Sequence, residues 1–360
     1  MKYIDEYRNK EIVQSLQKRI EKISTKEVRF MEVCGGHTMS IQKFGIPSLL
    51  PLNIKLLSGP GCPVCVSSRS YIDQAIAYSR MENVIITTFG DLIRIPGSTS
   101  SLEKEKANGA DIRIVYSPLD ALAIARSNLD KKIVFLGIGF ETTAPGSAAS
   151  IVTAYNENLK NFLLFSSHKV MPPAMSALID EGVKIDGYIA PGHVSTITGH
   201  NIYLDFPKKF GIACVISGFE PVDLLQSIYM LVKQVEENDP KVEIQYRRAV
   251  KMSGNEKALA ILDEVFELRD DWWRGLGILP KSGLKIRNKY ADFDAESVLQ
   301  VDVEPTREDK GCLCGEILKG LKNPKDCKLF GKGCTPSDPV GACMVSSEGA
   351  CHAYYKYNRE

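Results

Sequence analysis

The sequence predicts an α/β protein built on two parallel sheets, followed by a cysteine-rich C-terminal segment. Three observations carry this. Short β-branched, apolar runs alternate with stretches of helical periodicity, as in βαβ units. A chain of 360 residues accommodates two such sheets better than one. From about Asp302 the alternation dissolves into Gly, Pro, Lys and Cys, a composition that needs some other source of order, which a metal cluster can supply.

The predicted strands are, in order, "VRFMEV", "IKLLSG", "NVIITTF", "DIRIVYS", "KIVFLGIG", "FLLFSS", "GYIAPG" and "ACVISG". Between several of them lie the helical stretches "SYIDQAIAYSRM", "LDALAIARSNL", "SAASIVTAYNEN" and "PVDLLQSIYMLVKQVEEN". The charged N-terminus, "MKYIDEYRNKEIVQSLQKRIEKIS", is helix-patterned and lacks the apolar core of a signal peptide. A break is expected near Arg126–Lys132, giving a first α/β domain over 1–128, a second over 129–300 and a cluster-binding segment over 301–360.

Composition excludes several function classes. With 45 basic and 44 acidic residues the formal net charge is +1, so nothing electrostatic points to nucleic acid or to an anionic membrane. No apolar run reaches the roughly 18 residues of a membrane span, and the chain reads as cytosolic. In a reducing compartment ten cysteines favour metal binding or redox chemistry over structural disulfides. Cys214, in "GIACVISG", reads as an ordinary buried strand cysteine.

The unusual residues follow the strands: "VCGGHT", "GPGCPVC", "GFETTAPG", "SSHKVMPP", "PGHVS" and "GFEPVD". Ligands of open α/β sheets bind beyond the carboxyl ends of strands, so six such loops fit a single cleft. In "VCGGHT", Cys34 ends a strand, and a helix starting near Thr38 would favour its thiolate. His37 is placed to relay a proton or to donate to a ligand. A buried strand cysteine beside a tight turn is the plainer alternative. In "GPGCPVC", Pro63 suits the first position of a helix, making Cys62 the N-cap and placing Cys65 in the first turn. That spacing favours a redox dithiol over metal ligation or a structural role.

Glu141, Thr142 and Thr143 either bind a small ligand or cap the next helix. His168 and His193 follow strands and read equally well as satisfied core histidines. Glu220 and Asp223 open a long helix, where acidic residues are expected on dipole grounds alone. "GIGFET" is not a dinucleotide fingerprint, and no phosphate-binding G-x-x-x-x-G-K-[ST] occurs.

The C-terminal cysteines run C-x-C-x12-C-x6-C-x8-C-x7-C from Cys312 to Cys351, with His352 the one histidine of the region. Paired zinc knuckles are absent, and thiolate-rich binding favours an iron–sulfur cluster over zinc or disulfides. Cys327 and Cys334 are the leading ligands, then Cys351, with Cys312 or Cys343 as the fourth and Cys314 ranked last. The two cysteines left over would be free to form a second dithiol.

"CGGHT", "GPGCPVC", "GFETTAP", "PGHVS", "GFEP", "CTPSDPVGACMVSSEGAC" and "AYY" together resemble the HypD family of [NiFe]-hydrogenase maturation proteins, from about Glu32 to Tyr355. The resemblance implies two Rossmann-like domains, a C-terminal part bearing a [4Fe-4S] cluster, and a pairing of cluster with disulfide similar to ferredoxin:thioredoxin reductase. It implies a scaffold that is a monomer alone and works with the small chaperone HypC. On it an iron receives two cyanides and one carbon monoxide, the cyanide arriving through HypF and HypE. By motif, Cys34 would hold the iron, His37 would neighbour it, and Cys62 and Cys65 would be the redox pair. Glu141 and Thr142 of "GFETTAP" and His193 of "PGHVS" would join them as catalytic residues. A cluster-dependent reductase of protein disulfides is the competing reading, but it gives Cys34 no task.

Overall fold

The computed structural model describes residues 5–358. All eight predicted strands form: β1 Val28–Glu32, β2 Ile54–Ser58, β3 Val84–Thr88, β4 Ile112–Ile114, β5 Lys132–Gly139, β6 Phe162–His168, β7 Gly187–Pro191 and β8 Ala213–Ser217. Three more were not anticipated: β9 Val242–Ile244, β10 Phe266–Trp273 and β11 Gly277–Ile286. Among the described residues the strands make a five-stranded sheet of order β2-β1-β7-β8-β9 and a four-stranded sheet of order β4-β3-β5-β6, with a β10-β11 hairpin. Both larger sheets are parallel throughout and the hairpin is antiparallel.

The expected boundary at 128/129 is corrected by this topology. β3 lies before it and β5 after it, yet Val84–Thr87 pair directly with Lys132–Phe135. After β2 the chain leaves the first sheet and builds all four strands of the second. It returns after β6 to lay β7 beside β1. Each sheet therefore draws on both sides of the expected break. The segment after Asp302 is not a free-standing unit either, since Cys314, Cys334, Cys343 and Cys351 share one apolar core with Met31, Val33, Ile86 and Val134 of the two sheets.

Local sequence explains the elements. β5 is a continuous apolar run buried on both faces except at its first residue, as a central parallel strand requires. The helix Arg69–Ser79 starts where Ser68 Oγ accepts from Tyr71 N at 3.0 Å, and Pro118–Ser127 starts at Ser117 with proline in its first turn. The N-terminal pattern forms a short 3₁₀ turn, Asp5–Arg8, and the helix Lys10–Ile23; its first four residues lie outside the described ones. No described helix is long and apolar enough to cross a membrane.

The stretch joining the sheets to the C-terminal cysteines has no regular structure but is clasped to the second sheet's helices. Buried Asp73 accepts from Ser98 N at 2.6 Å, Ser98 Oγ at 2.7 Å and Thr306 Oγ1 at 3.0 Å. Arg69 donates to Arg307 O at 2.7 Å, and Arg80 and Thr99 hold Glu304. Hydrogen bonds to a charged group are worth roughly 1.5–3 kcal/mol each. Asp73→Ala is therefore expected to speed trypsin cleavage after Arg307 by roughly tenfold or more, followed by mass spectrometry of the fragments. An unchanged rate would mean that the clasp does not hold the segment.

Candidate functional site

Cys34 is the N-cap of the helix Gly35–Lys43, which begins three residues earlier than the expected start at Thr38. Its loop is locked to the dithiol loop. Gly35 N–H donates to Gly61 O at 2.9 Å and Gly59 N–H to Glu32 O at 2.8 Å. A Cβ on Gly61 would stand 2.1 Å from Cys34 N, and one on Gly35 would stand 2.6 Å from Glu348 Cβ. Only glycine fits at either place.

Cys62 and Cys65 are joined as a disulfide, with Cα atoms 5.2 Å apart. Cys62 is the N-cap of the short helix Pro63–Val66, and its sulfur accepts from Cys65 N at 3.2 Å. That helix packs against β5, whose end leads to Glu141, and against the short helix Ala342–Val345, which carries Cys343. The dithiol thus lies between the Cys34 loop and the C-terminal cysteines.

Burial governs the charge state of Cys34. The expected advantage of a helix N-terminus is overturned: loss of solvent, then the nearby Glu348 carboxyl, pushes its thiol up to about 12. Glu32 stands beneath it, accepting from Cys34 N at 3.1 Å and from Thr38 Oγ1 at 2.5 Å. Despite those bonds, burial raises the Glu32 carboxyl to about 8. Glu348 is likewise raised by burial.

His37 is fully buried, and burial lowers its pKa to about 4, so the ring is neutral near pH 7. Nε2–H donates to Ser217 O at 3.2 Å and Gly218 O at 3.0 Å, which leaves Nδ1 a bare lone pair with no partner among the described residues. Its ring stacks on Phe219 at 4.6 Å, and the other side of the aromatic system meets His193 at 3.9 Å. His193, also lowered by burial, opens the helix Gly192–Thr198 after β7. Behind this stack Asp223 is fully buried and paired with Arg248, at 2.7 and 2.5 Å, as well as with Gln245. Arg248 in turn stacks on Tyr7 and Tyr246. Asp223 and Glu220 thus serve the architecture, Glu220 binding Arg8.

Glu141 is buried, with one carboxylate oxygen accepting from Met171 N at 3.0 Å and the other unpartnered among the described residues. Burial raises it to about 7. Thr142 is half-buried beside it. Thr143 occupies the N-cap position but bonds back to Ile138 O and Phe140 O instead of capping. His168 stays in the second sheet's core between Ser147 and Ser166, which is the plain reading.

Cys312, Cys314, Cys327, Cys334 and Cys351 line one small cavity with Leu313, Ile317, Leu329, Phe330 and Met344. Cys314, ranked last by spacing, sits at the centre of the group. Hydrogen bonds from Cys312, Cys343 and Cys351, together with the Arg274 charge, hold its thiol well below the usual range, and burial only partly opposes them. The x in C-x-C turns both thiols toward Gly341, where a Cβ would stand 2.6 Å from one sulfur and 2.7 Å from the other. Val340 and Gly341 N–H groups donate to Cys334 Sγ. No three His, Cys, Asp or Glu side chains among the described residues converge as the ligands of one metal ion. The thiols meet around Cys314, a soft donor set of the chemical kind that ligates iron–sulfur clusters. Arginines tie this segment to the sheets: Arg94 donates to Pro336 O and Val345 O, and Arg69 to Val340 O.

The profile of the HypD family, described as "Hydrogenase formation hypA family", matches residues 9–358. The chain belongs to the HypD family. It is 47% identical to the hydrogenase maturation factor HypD of Azotobacter vinelandii, covering all of this chain and 98% of that one. It is 48% identical to the maturation factor HypD2 of Bradyrhizobium diazoefficiens, over 100% and 97%. It is 45% identical to the HypD of Cupriavidus necator, over 100% and 98%. It is thus a hydrogenase maturation factor of the HypD family, and the motif resemblance holds across the chain.

Glu32, Phe219, Arg274 and Glu348, none of which was given a role from the sequence, contact these candidate residues or their loops. The one available signal for Glu32 was a carboxylate directly after the apolar pair Phe30 and Met31, where the strand ends. Glu32 ionises near 4.5 when free and near 8 when folded. The unfolded chain therefore binds fewer protons between those values, so this contribution is complete below pH 4.5 and lost as pH rises through 8. Glu32→Gln is expected to gain roughly 2–4 kcal/mol on wild type between pH 5 and pH 9 in denaturant unfolding. Parallel stability curves for the two proteins would contradict the buried, neutral carboxyl.

Proposed function

We propose that this chain is the scaffold on which a single iron acquires cyanide and carbon monoxide before delivery to a [NiFe] hydrogenase. The observation that carries the reading is the fusion of the Cys34 loop with the Cys62–Cys65 loop through Gly35 and Gly61. A lone thiol that could hold iron is set beside a pair that could supply electrons. A protein-disulfide reductase would have no use for that third thiol.

The iron is cargo in this scheme, held by Cys34 and by a cysteine of a HypC-type chaperone. Binding must displace the Cys34 proton, because the thiol is up at about 12. Thiolate is the soft donor that suits an iron also carrying diatomic ligands. Cyanide arrives on a HypE-type donor as a thiocyanate. With the pair reduced, cleavage of its S–C bond releases hydrogen cyanide and regenerates the carrier thiol. Two electrons come from Cys62 and Cys65, which close to the disulfide and give up two protons. Glu141, Thr142 and His193, on loops that follow β5 and β7, would assist as catalytic residues.

Four of Cys312, Cys327, Cys334, Cys343 and Cys351 would hold a [4Fe-4S] cluster, and the geometry adds Cys314 to the candidates. When bound, such a cluster supplies single electrons. Arg69, Arg94 and Arg274 place positive charge where a cluster's thiolates would carry negative charge.

Iron-bound cyanide and carbon monoxide absorb in the infrared where proteins barely do. In protein co-purified with its small chaperone, Cys34→Ser is expected to lose those bands, since a hydroxyl is a harder and poorer donor than a thiolate. The visible absorption of the C-terminal cluster is expected to remain. Bands retained in Cys34→Ser would overturn Cys34 as the anchor and pass that role to the dithiol.

A further inference from the structure

We propose that Arg274 is a positioning residue that sets the redox equilibrium of the Cys62–Cys65 pair, an inference that rests on reading this pair as a redox dithiol. Arg274 sits in the turn between β10 and β11, and its guanidinium is turned inward onto the dithiol segment. Nε–H donates to Cys65 O at 3.0 Å and Nη2–H to Ser67 O at 2.9 Å, while its backbone N–H donates to Val66 O at 2.9 Å. Three consecutive carbonyls are thus committed to one residue.

The same turn also abuts the C-terminal cysteines. A Cβ on Gly275, at φ +86°, would stand 2.7 Å from Gly315 O, next to Cys314. Arg274 therefore stands where the dithiol segment and the turn carrying Cys314 meet. Among the described residues its carboxylate partner is Glu308, at 3.2 Å, which lies half in solvent and so only partly screens the cation. Arg274 itself is 9% exposed.

A fixed cation acts on the two oxidation states unequally. Reduction breaks the S–S bond and places two electrons on the Cys62 and Cys65 sulfurs, one of which can remain a thiolate while the other takes a proton. The disulfide carries no charge for Arg274 to stabilise; the thiolate does. With glutathione as reductant, two thiols close to oxidised glutathione, and the proton not taken up by the protein goes to solvent.

The test equilibrates the purified full-length protein, without oxygen, in glutathione buffers. Differential alkylation is then read on the tryptic peptide Leu56–Arg69, whose cysteines are Cys62 and Cys65 alone. Arg274→Gln is expected to lower the equilibrium constant for reduction by roughly tenfold, about 30 mV for a two-electron couple. Arg274→Lys, which keeps the charge but cannot bridge the carbonyls, is expected to stay within about threefold of wild type. Glu308→Gln, at a half-exposed position, unmasks the guanidinium and is expected to shift the constant the opposite way, by roughly threefold. Equal shifts in Arg274→Gln and Arg274→Lys would reduce the residue to a tether and overturn the proposal, as would unchanged constants in Arg274→Gln and Glu308→Gln. If the wild-type pair does not titrate reversibly at all, the dithiol reading itself falls.

Discussion

The close approach of Gly61 to the Cys34 backbone is the constraint on which the site depends. Two loops leave the carboxyl ends of neighbouring strands, and the hydrogen bond from Gly35 to Gly61 joins them with no space for a side chain between. A single methyl group at Gly61 would drive the loops apart by a backbone displacement. Everything else is arranged around that junction. Glu32 supports Cys34 from below, Glu348 presses on Gly35 from the C-terminal segment, and the helix Ala350–Tyr357 packs against the helix Gly35–Lys43. The dithiol helix then reaches β5 on one side and the Cys343 helix on the other. Both sheets and the tail thereby meet at three sulfurs.

The elements were legible where local chemistry decides them. Runs such as "KIVFLGIG" and "NVIITTF" are strands because their side chains are buried on both faces. β10 escaped notice because "FELRDDWW" is half polar, a two-stranded ribbon leaving one face in water. The β3–β5 pairing could not be read from periodicity, because sheet membership depends on where a crossover lands. The division of the chain at 128/129 fails for that reason.

At the site, residue types told more than their expected energetics. Cys34, His37, Cys62, Cys65 and His193 were visible as unusual residues at strand ends, where parallel sheets place ligands. The helix N-terminus at Cys34 is real, but burial and two nearby carboxyls outweigh it. Such a balance is tertiary, since Glu348 lies more than three hundred residues away in the chain. Cys314 likewise looked peripheral by spacing and is central in space, because Gly341 lets the C-x-C turn close over its neighbours. Arg274 carried no signal in "WWRG"; its role comes from a hairpin turn docking on the dithiol.

On the proposed function, the C-terminal thiols, loaded with iron and sulfide, would serve the Cys62–Cys65 pair as its source of electrons. The most direct measurement reduces iron-loaded protein without oxygen, using a one-electron photoreductant that attacks disulfides poorly, and then counts alkyl groups on the peptide Leu56–Arg69. Two alkyl groups on that peptide in the loaded protein, and none in the iron-free protein under the same light, is the predicted result. A disulfide that stays closed in the loaded protein, or opens equally without iron, would contradict it.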